Sequence, residues 1–421
     1  MQSINNITKT NKALYLEKKD CCGCGVCSNV CPKNAIEMKM DSFGAVYPMI
    51  NEDICVGCNL CFNSCSFGKS ELKKKIIKAY AVTNNNDEQL RVSSSGGVFS
   101  AVASYFLDSG DAVCGAIIDL EKEEKKIHHC IITEKESLKQ LQGSKYGQSF
   151  SGNIYDECRE LLKKGKRILF TGTPCQVNAF KHLFKKYDSQ IFTLDLICHG
   201  VPGNGLFDEY IRYIENIEKY RIIKFVFRDK KYGWGCNGEY TIRARSNTNG
   251  LDDKYYKEIS PMSSSYYRYF FFGDSYRDSC YSCQFASNER VGDITIGDYW
   301  GIEKHNPELL RENQGKLMQE KGISCALINT EKGLEFIDIL KRYCSVFEVN
   351  IDDVISENTQ LNHPVKRSKT RERLLTAYEK RGYIGIETVY AADMRKKKAV
   401  GFIIGLIPSS VKRKMKRMLK R

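Results

Sequence analysis

Between residues 78 and 343, short apolar runs alternate with stretches whose apolar positions recur every three to four residues. KAYAVTN is followed by a helical pattern from about Val98. DAVCGAIIDL and IHHCIITE come next, then a helical pattern near 153–164, then RILFTG and IFTLDLIC. Short runs rich in Val, Ile, Phe and Thr read as strands, and the longer periodic stretches read as helices. A helix at about 206–219 precedes IKFVFRDK and GEYTIRARS, an aromatic segment around SYYRYFFFG, and a strand at DITIGDYW. ISCALINT and LEFIDILKRY add a strand followed by a helix. The alternation predicts an α/β core with a mixed sheet.

Residues 1–75 lack this periodicity and are dense in cysteine, as expected of a small α+β module held by metal and not by a large apolar core. The lysine-rich ELKKKIIK marks the boundary. The expected divisions are 1–75, 76–155, 156–390 and a basic tail at 391–421.

The chain has 421 residues and 19 cysteines, an odd number that forbids complete internal disulfide pairing. The N-terminus shows no apolar stretch of signal-peptide length, so a cytoplasmic setting with reduced thiols is expected. Of the formal charge of +14, eleven Lys or Arg and no acid fall between Arg395 and Arg421, leaving about +3 for everything before. The body is therefore near neutral.

Cys21, Cys24, Cys27 and Cys31 follow the spacing C-x2-C-x2-C-x3-C, with Pro32 after them. Cys55, Cys58, Cys61 and Cys65 repeat it, with Ser66 in place of the proline. Three thiolates two residues apart let one tight loop wrap three corners of a 4Fe-4S cubane. In two-cluster ferredoxins the fourth cysteine ligates the other cluster, which groups Cys21, Cys24, Cys27 with Cys65 and Cys55, Cys58, Cys61 with Cys31. The module is thus expected to be a bacterial-type dicluster ferredoxin domain with two 4Fe-4S clusters. Gly23 and Gly57 occupy the tight turns, and Cys22 reads as a ninth cysteine that is not a ligand. A zinc site usually presents well-separated cysteine pairs, not two copies of this triple spacing.

Three junctions stand where strands are expected to end. Ser93-Ser94-Ser95-Gly96-Gly97 opens a helix and offers amides to a phosphate, though a Ser-Gly run is more often a plain cap. In Gly172-Thr173-Pro174-Cys175, Thr173 is the expected N-cap and Cys175 sits where a thiol pKa falls. Cys198-His199-Gly200 follows IFTLDLIC, and Cys280 and Cys283 form a C-x2-C pair before DITIGDYW. Cys114, Cys130, Cys158, Cys236, Cys325 and Cys344 lack ligand spacing and read as core residues.

At SSSGGVFSA, GSKYGQS, LFTGTPCQV, DLICHGVPG, CYSCQFA, RVGDITIGDYWG and ISCALINTEKG the chain resembles the coenzyme F420 hydrogenase/dehydrogenase beta-subunit family, in the form fused to a dicluster ferredoxin. The resemblance spans about residues 80–332. It implies an iron-sulfur flavoprotein oxidoreductase in which FAD interconverts single electrons and hydride. It further implies a third 4Fe-4S cluster on Cys175, Cys198, Cys280 and Cys283. Ser95, Gly96, Gly97, Gly172 and Thr173 would line the FAD site, with Lys145 as a basic contact. Relatives of this kind act on coenzyme F420 or chlorophyll-type pigments, or occur among bacterial surface-polysaccharide genes. The substrate is left open, as is the rival role of a non-catalytic subunit delivering electrons to a partner enzyme.

The expected partners are a ferredoxin or another redox protein and an organic substrate. The tail KKKAVGFIIGLIPSSVKRKMKRMLKR places Val411, Met415, Met418 and Leu419 on one helical face among cations. That suits an anionic membrane surface at the cytoplasmic face, or equally a solvated terminus or an acidic partner. From Val411 onward it lacks aromatics for stacking on nucleic acid.

Overall fold

A computed structural model describes residues 14–15, 17–67, 72–245 and 252–406. The chain forms two compact units, Met1–Arg367 and Ser368–Arg421. In the first unit the cysteine-dense module is built on an antiparallel hairpin of β1 (Ile36–Met40) and β2 (Val46–Ile50). Two one-turn helices, Val26–Asn29 and Leu60–Asn63, follow the two cysteine loops. Each starts from a left-handed residue, Gly25 (φ +82°) and Asn59 (φ +58°), the conformation that turns a loop sharply into a helix.

The core sheet contains β3 (Lys78–Asn84), β4 (Ala112–Ile118), β5 (Ile127–Ile132), β6 (Ile168–Gly172), β7 (Ile191–Leu196), β8 (Ile294–Asp298), β9 (Ser324–Ile328) and β10 (Cys344–Val349). Their order across the sheet is β10-β3-β9-β8-β7-β6-β4-β5. β4, β6, β7 and β8 pair in parallel, while β5, β9 and β10 pair antiparallel with their neighbours. β3 therefore runs with the parallel group. The sheet is mixed, as the sequence predicts.

Strand periodicity of two sends alternate side chains to opposite faces. Tyr80, Val82, Val113, Leu169, Leu194, Ala326 and Ile328 join one core with the helices Val98–Asp108 and Glu331–Tyr343. Their neighbours Ala112, Cys114, Ile168, Phe170 and Ile191 face the helices Ile154–Lys163 and Pro174–Leu183. Phe106, Phe170 and Phe180 are almost fully buried, and each ring contributes about 1.5–3 kcal/mol through removal from water.

Polar strand positions are matched within this core. Asp195 on β7 is fully buried and meets Arg290 Nη2 at 3.0 Å, Thr295 Oγ1 at 2.5 Å and the Gly292 amide at 2.9 Å. Asp293 accepts from the Thr193 hydroxyl at 2.6 Å and from Lys181 at 3.2 Å. These carboxylates tie β7 to the chain entering β8.

The module is seated on the core by close backbone approach. A Cβ on Gly44 would lie 2.6 Å from the Leu206 amide nitrogen, and one on Gly203 would lie 2.4 Å from atoms of Ala45 and Gly44. The Gly205 amide donates to the Gly44 carbonyl at 2.9 Å. Gln148 accepts from the Val46 amide and donates to the Gly23 carbonyl, and Tyr155 donates to the Cys24 carbonyl at 2.7 Å.

Beside the core sheet lies an antiparallel three-stranded sheet of Ile222–Val226, Gly238–Arg245 and Asp252–Ile259. The aromatic segment is a helix, Ser265–Phe271. The second unit, taken by itself, pairs the helices Lys369–Arg381 and Tyr383–Leu406 in an antiparallel hairpin. It turns at Gly382 (φ +56°) and is braced by Arg373 on Asp393 at 3.0 Å. This hairpin, the strand β10 and the short helix Asp87–Val92 between β3 and the Ser-Gly loop were not anticipated from the pattern. No helix among the described residues is long and apolar enough to cross a membrane. The basic tail residues Val411, Met415, Met418 and Leu419 lie outside the described residues.

Replacing Arg290 by Met leaves the Asp195 carboxylate buried without its cation, which costs about 3–5 kcal/mol. The urea midpoint of the full-length protein is expected to fall accordingly. An unchanged midpoint would show that Thr295 and Gly292 alone hold that charge.

Candidate functional site

The two cysteine loops interleave. Cys65 comes to lie beside Cys21 and Cys27, next to Cys24, so the last cysteine of the second run joins the first three of the first run. Cys61 has Cys31 and Cys55 as neighbours. Amides aim at the sulfurs, from Gly23 to Cys21 and from Ala35 to Cys31, both at 3.3 Å, and from Val26, Ser28 and Phe62 to Cys24, Cys27 and Cys61. Gly23 and Gly57 have φ of +65° and +66°, which lets each loop turn back between its first two cysteines. Burial pushes the Cys21 thiol up to about 12 and raises Cys27, so both prefer to stay protonated until metal replaces the proton. Among the described residues no three ligands close around one point as a single ion requires. The amides directed at sulfur suit thiolates that ligate a 4Fe-4S cluster.

The two loops differ in exposure. Cys55 and Cys58 are exposed and sit with exposed Ile54, Val56, Leu60 and Phe62, whereas Cys21, Cys24 and Cys27 are partly covered.

The parallel strands deliver a third group of thiols to one edge of the sheet. Cys175 follows the C-terminal end of β6, Cys198 follows that of β7, Cys280 lies within the 3-10 turn Asp278–Ser282 and Cys283 caps its end. Cys198 has Cys280, Cys175 and Cys283 around it, and Cys280 and Cys283 both neighbour Cys175. Burial raises Cys198 well above its ordinary range, Cys280 to about 12 and Cys283 to about 11. Cys175 is instead lowered to about 7, chiefly by a hydrogen bond from Cys22 and by the Thr173 hydroxyl, whose Oγ1 is 3.2 Å from its sulfur. Thr173 also forms a capping box with Gln176 at the start of the helix.

Cys22, read from spacing as a bystander, lies between the groups. Its thiol adjoins both Cys175 and Cys24, and interaction with them, together with burial, raises it. The N-terminal set and the set at the sheet edge therefore adjoin through one thiol.

The small-residue loops lie at the same edge but are engaged by the protein itself. The Gly96 amide donates to Ser324 Oγ at 2.8 Å, and the Ser95 hydroxyl donates to the Ile323 carbonyl at 3.0 Å. A Cβ on Gly96 would meet the Val82 carbonyl at 2.1 Å, so packing alone demands glycine there. Gly97 caps the helix Val98–Asp108 at φ +78°. Gly172 sits against Gln176 and His129. Lys145 donates to the carbonyls of Leu141, Gln142 and Gly143 at 2.7, 2.7 and 3.1 Å, and burial lowers it to about 7. Of the cysteines read as core, Cys114, Cys158, Cys325 and Cys344 are buried, while Cys130 and Cys236 are half-buried.

Other residues at this edge escaped the pattern reading. Arg228 forms a bidentate pair with Asp298 at 2.7 and 3.2 Å, and Trp234 donates to the same carboxylate at 2.9 Å. Trp234 stacks on Trp300 with centroids 4.9 Å apart. Lys230 donates to the Leu90 and Ser95 carbonyls, each at 2.6 Å, and burial lowers it to about 7. Arg277, three residues before Cys280, reaches the first cysteine loop through the Cys21 carbonyl at 3.1 Å. A basic residue beside a C-x2-C pair was the only sequence cue to it.

Residues 165–354 match the model of the C-terminal part of the coenzyme F420 hydrogenase/dehydrogenase beta subunit, and residues 79–153 match that of its N-terminal part. Residues 20–69 match a 4Fe-4S dicluster domain. The chain is similar to one of the subunits of the F(420)H(2) dehydrogenase of Methanosarcina mazei, 23% identical over 226 residues, or 50% of this chain. It spans about 63% of that relative's length. A chain in the structure of the F420-reducing NiFe hydrogenase complex from Methanosarcina barkeri aligns with 14% identity and a TM-score of 0.42, covering 70% of this chain and 98% of the other. The two matched parts of the beta-subunit model together take in more than half of the chain, which belongs to the coenzyme F420 hydrogenase/dehydrogenase beta-subunit family and carries a 4Fe-4S dicluster domain ahead of it.

Proposed function

We propose that this chain is an iron-sulfur flavoprotein oxidoreductase passing electrons between a ferredoxin-like redox protein and an organic substrate or an F420-like hydride carrier. Clusters supply single-electron steps and FAD supplies the exchange between single electrons and hydride. In this reading Cys21, Cys24, Cys27 and Cys65 hold one 4Fe-4S cluster, and Cys31, Cys55, Cys58 and Cys61 hold the second. Cys175, Cys198, Cys280 and Cys283 hold a third. Ser95, Gly96, Gly97, Gly172, Thr173 and Lys145 border the FAD.

The observation that carries the reading is the gathering of four cysteines from three distant segments at the C-terminal edge of the parallel strands, joined to the N-terminal set by Cys22. Ligands of open α/β sheets bind at that edge. The exposed Cys55 and Cys58 with their apolar border Ile54, Val56, Leu60 and Phe62 suit a docking redox protein. The basic tail would hold the chain at an anionic cytoplasmic membrane face.

A second reading, a non-catalytic subunit delivering electrons to a partner enzyme, is favoured by one observation. Gly96, Ser95, Thr173 and Lys145 each already have hydrogen-bond partners within the chain.

Metal and flavin content of protein purified without oxygen separates the readings. About twelve irons and one FAD per chain are expected. About eight irons without flavin would leave the delivery subunit, and zinc in place of iron would remove both. Cys198→Ser is expected to lose about four irons while the spectrum of the N-terminal clusters persists. Cys22→Ala, in contrast, should keep the full iron content, and loss of about four irons on that change would make Cys22 a ligand.

A further inference from the structure

Three arginines are buried around this edge, and they are neutralised differently. Arg290 lies on Asp195 at 3.0 Å, and Arg228 lies on Asp298 at 2.7 Å. Arg277 is 2% exposed, yet its hydrogen bonds go to carbonyls, Nη1 to Val46 and Nη2 to Cys21, both at 3.1 Å. Among the described residues its Nε is buried with no hydrogen-bond partner. The Tyr47 ring lies 4.7 Å from its guanidinium carbon. A Cβ at Gly23 would come within 2.8 Å of Nη1, so the guanidinium is packed directly against the first cysteine loop.

The charged or chargeable groups that act on it most are Tyr47, Cys21, Cys280 and Cys22, and it acts on Cys175 as well. A permanent cation removed from water without a counter-ion is strongly unfavourable, and carbonyl dipoles do not cancel a full charge. Sulfurs of two separate thiol sets are among the groups that act on it most, beside the Tyr47 phenol, and Asp41 and Asp278 act on that same phenol.

We propose that Arg277 is a positioning residue for charge: the fixed counter-ion shared by the cluster bound through Cys21 and the cluster bound through Cys280 and Cys175. The second half of this assignment rests on the third cluster proposed above; the first half rests on the dicluster domain alone. Reduction adds negative charge to a cluster, so a fixed cation beside it favours the reduced form and raises its potential. Net charge and surroundings are the protein's levers on such potentials. The set on Cys31, Cys55, Cys58 and Cys61 is not among the groups Arg277 acts on most, and its potential should not depend on this residue.

The test uses the full-length protein purified without oxygen, with iron counts and redox titration followed by electron paramagnetic resonance. Arg277→Gln is expected to make reduction of two of three clusters about tenfold less favourable, a downward shift of about 59 mV for a one-electron couple, with the remaining cluster unmoved. Arg277→Lys, which keeps the charge and loses the fork to Val46 and Cys21, should stay near the wild-type potentials. If the wild type holds about eight irons, the third-cluster reading fails, while a shift of one of two clusters in Arg277→Gln still supports the role of Arg277. Unchanged potentials in an iron-replete Arg277→Gln protein would overturn the proposal. So would loss of iron in Arg277→Lys as well as Arg277→Gln, because the residue would then be a strut between Val46 and Cys21 and its charge incidental.

Discussion

Crowding of sulfur is the constraint on which this molecule turns. Burial drives Cys21 up to about 12 and raises Cys27 as well, so the thiols of the N-terminal module hold their protons more tightly than free cysteine. Deprotonated together they would repel one another at close range in a medium that screens poorly. Metal is what replaces the protons in such a domain, and its binding is part of the folding energy of a module with little apolar core. The amides of Gly23, Ala35, Val26, Ser28 and Phe62 are already turned toward sulfur, so the loops are shaped for the charged form.

Two features of the chain keep that crowding ordered. Backbone contact among Gly44, Gly203 and Gly205 brings the module onto the core closer than any side chain would permit, and larger residues there would push the hairpin away. Gln148 and Tyr155 then clasp the first cysteine loop from the core side. As a result Cys22 meets Cys175 across the seam, and the spacing between the two thiol sets is set by packing and not by a linker. A flexible tether would leave that spacing to diffusion.

Much of this was legible in the sequence for identifiable reasons. The strand at Lys78–Asn84 coincides with KAYAVTN because a β-rich run bounded by polar residues has one good reading. The mixed α/β core followed from strands alternating with helices, and the triple spacing with its remote fourth cysteine pointed to Cys65 as the companion of Cys21 and Cys27, beside which it lies. Other features depend on contacts that no local pattern records. Arg277 is an ordinary charged position until folding brings the first cysteine loop against it. Strand β10, CSVFEV, lies at the edge of the sheet and mixes polar with apolar residues, so its pattern is weak. Cys22 looked redundant because spacing counts ligands within one loop, and its second neighbour comes from residue 175.

The Ser-Gly loop shows how far a motif can be taken. Its glycine is required whether or not a phosphate ever arrives, since Val82 and Ser324 leave no space for a Cβ at Gly96. The same holds for Thr173, whose hydroxyl completes a capping box and touches the Cys175 sulfur. Small residues at a strand end therefore weigh little by themselves. Weight passes to groups that the fold has no structural reason to assemble. Packing does not require four cysteines at one edge, or a buried arginine whose hydrogen bonds go to the Val46 and Cys21 carbonyls instead of a carboxylate. Lysines lowered to about 7 at Lys145 and Lys230, with backbone carbonyls as their hydrogen-bond partners, are costly to bury in an ordinary core. Their coincidence at the C-terminal edge of the parallel strands is what a redox site would need and what a merely stable sheet would avoid.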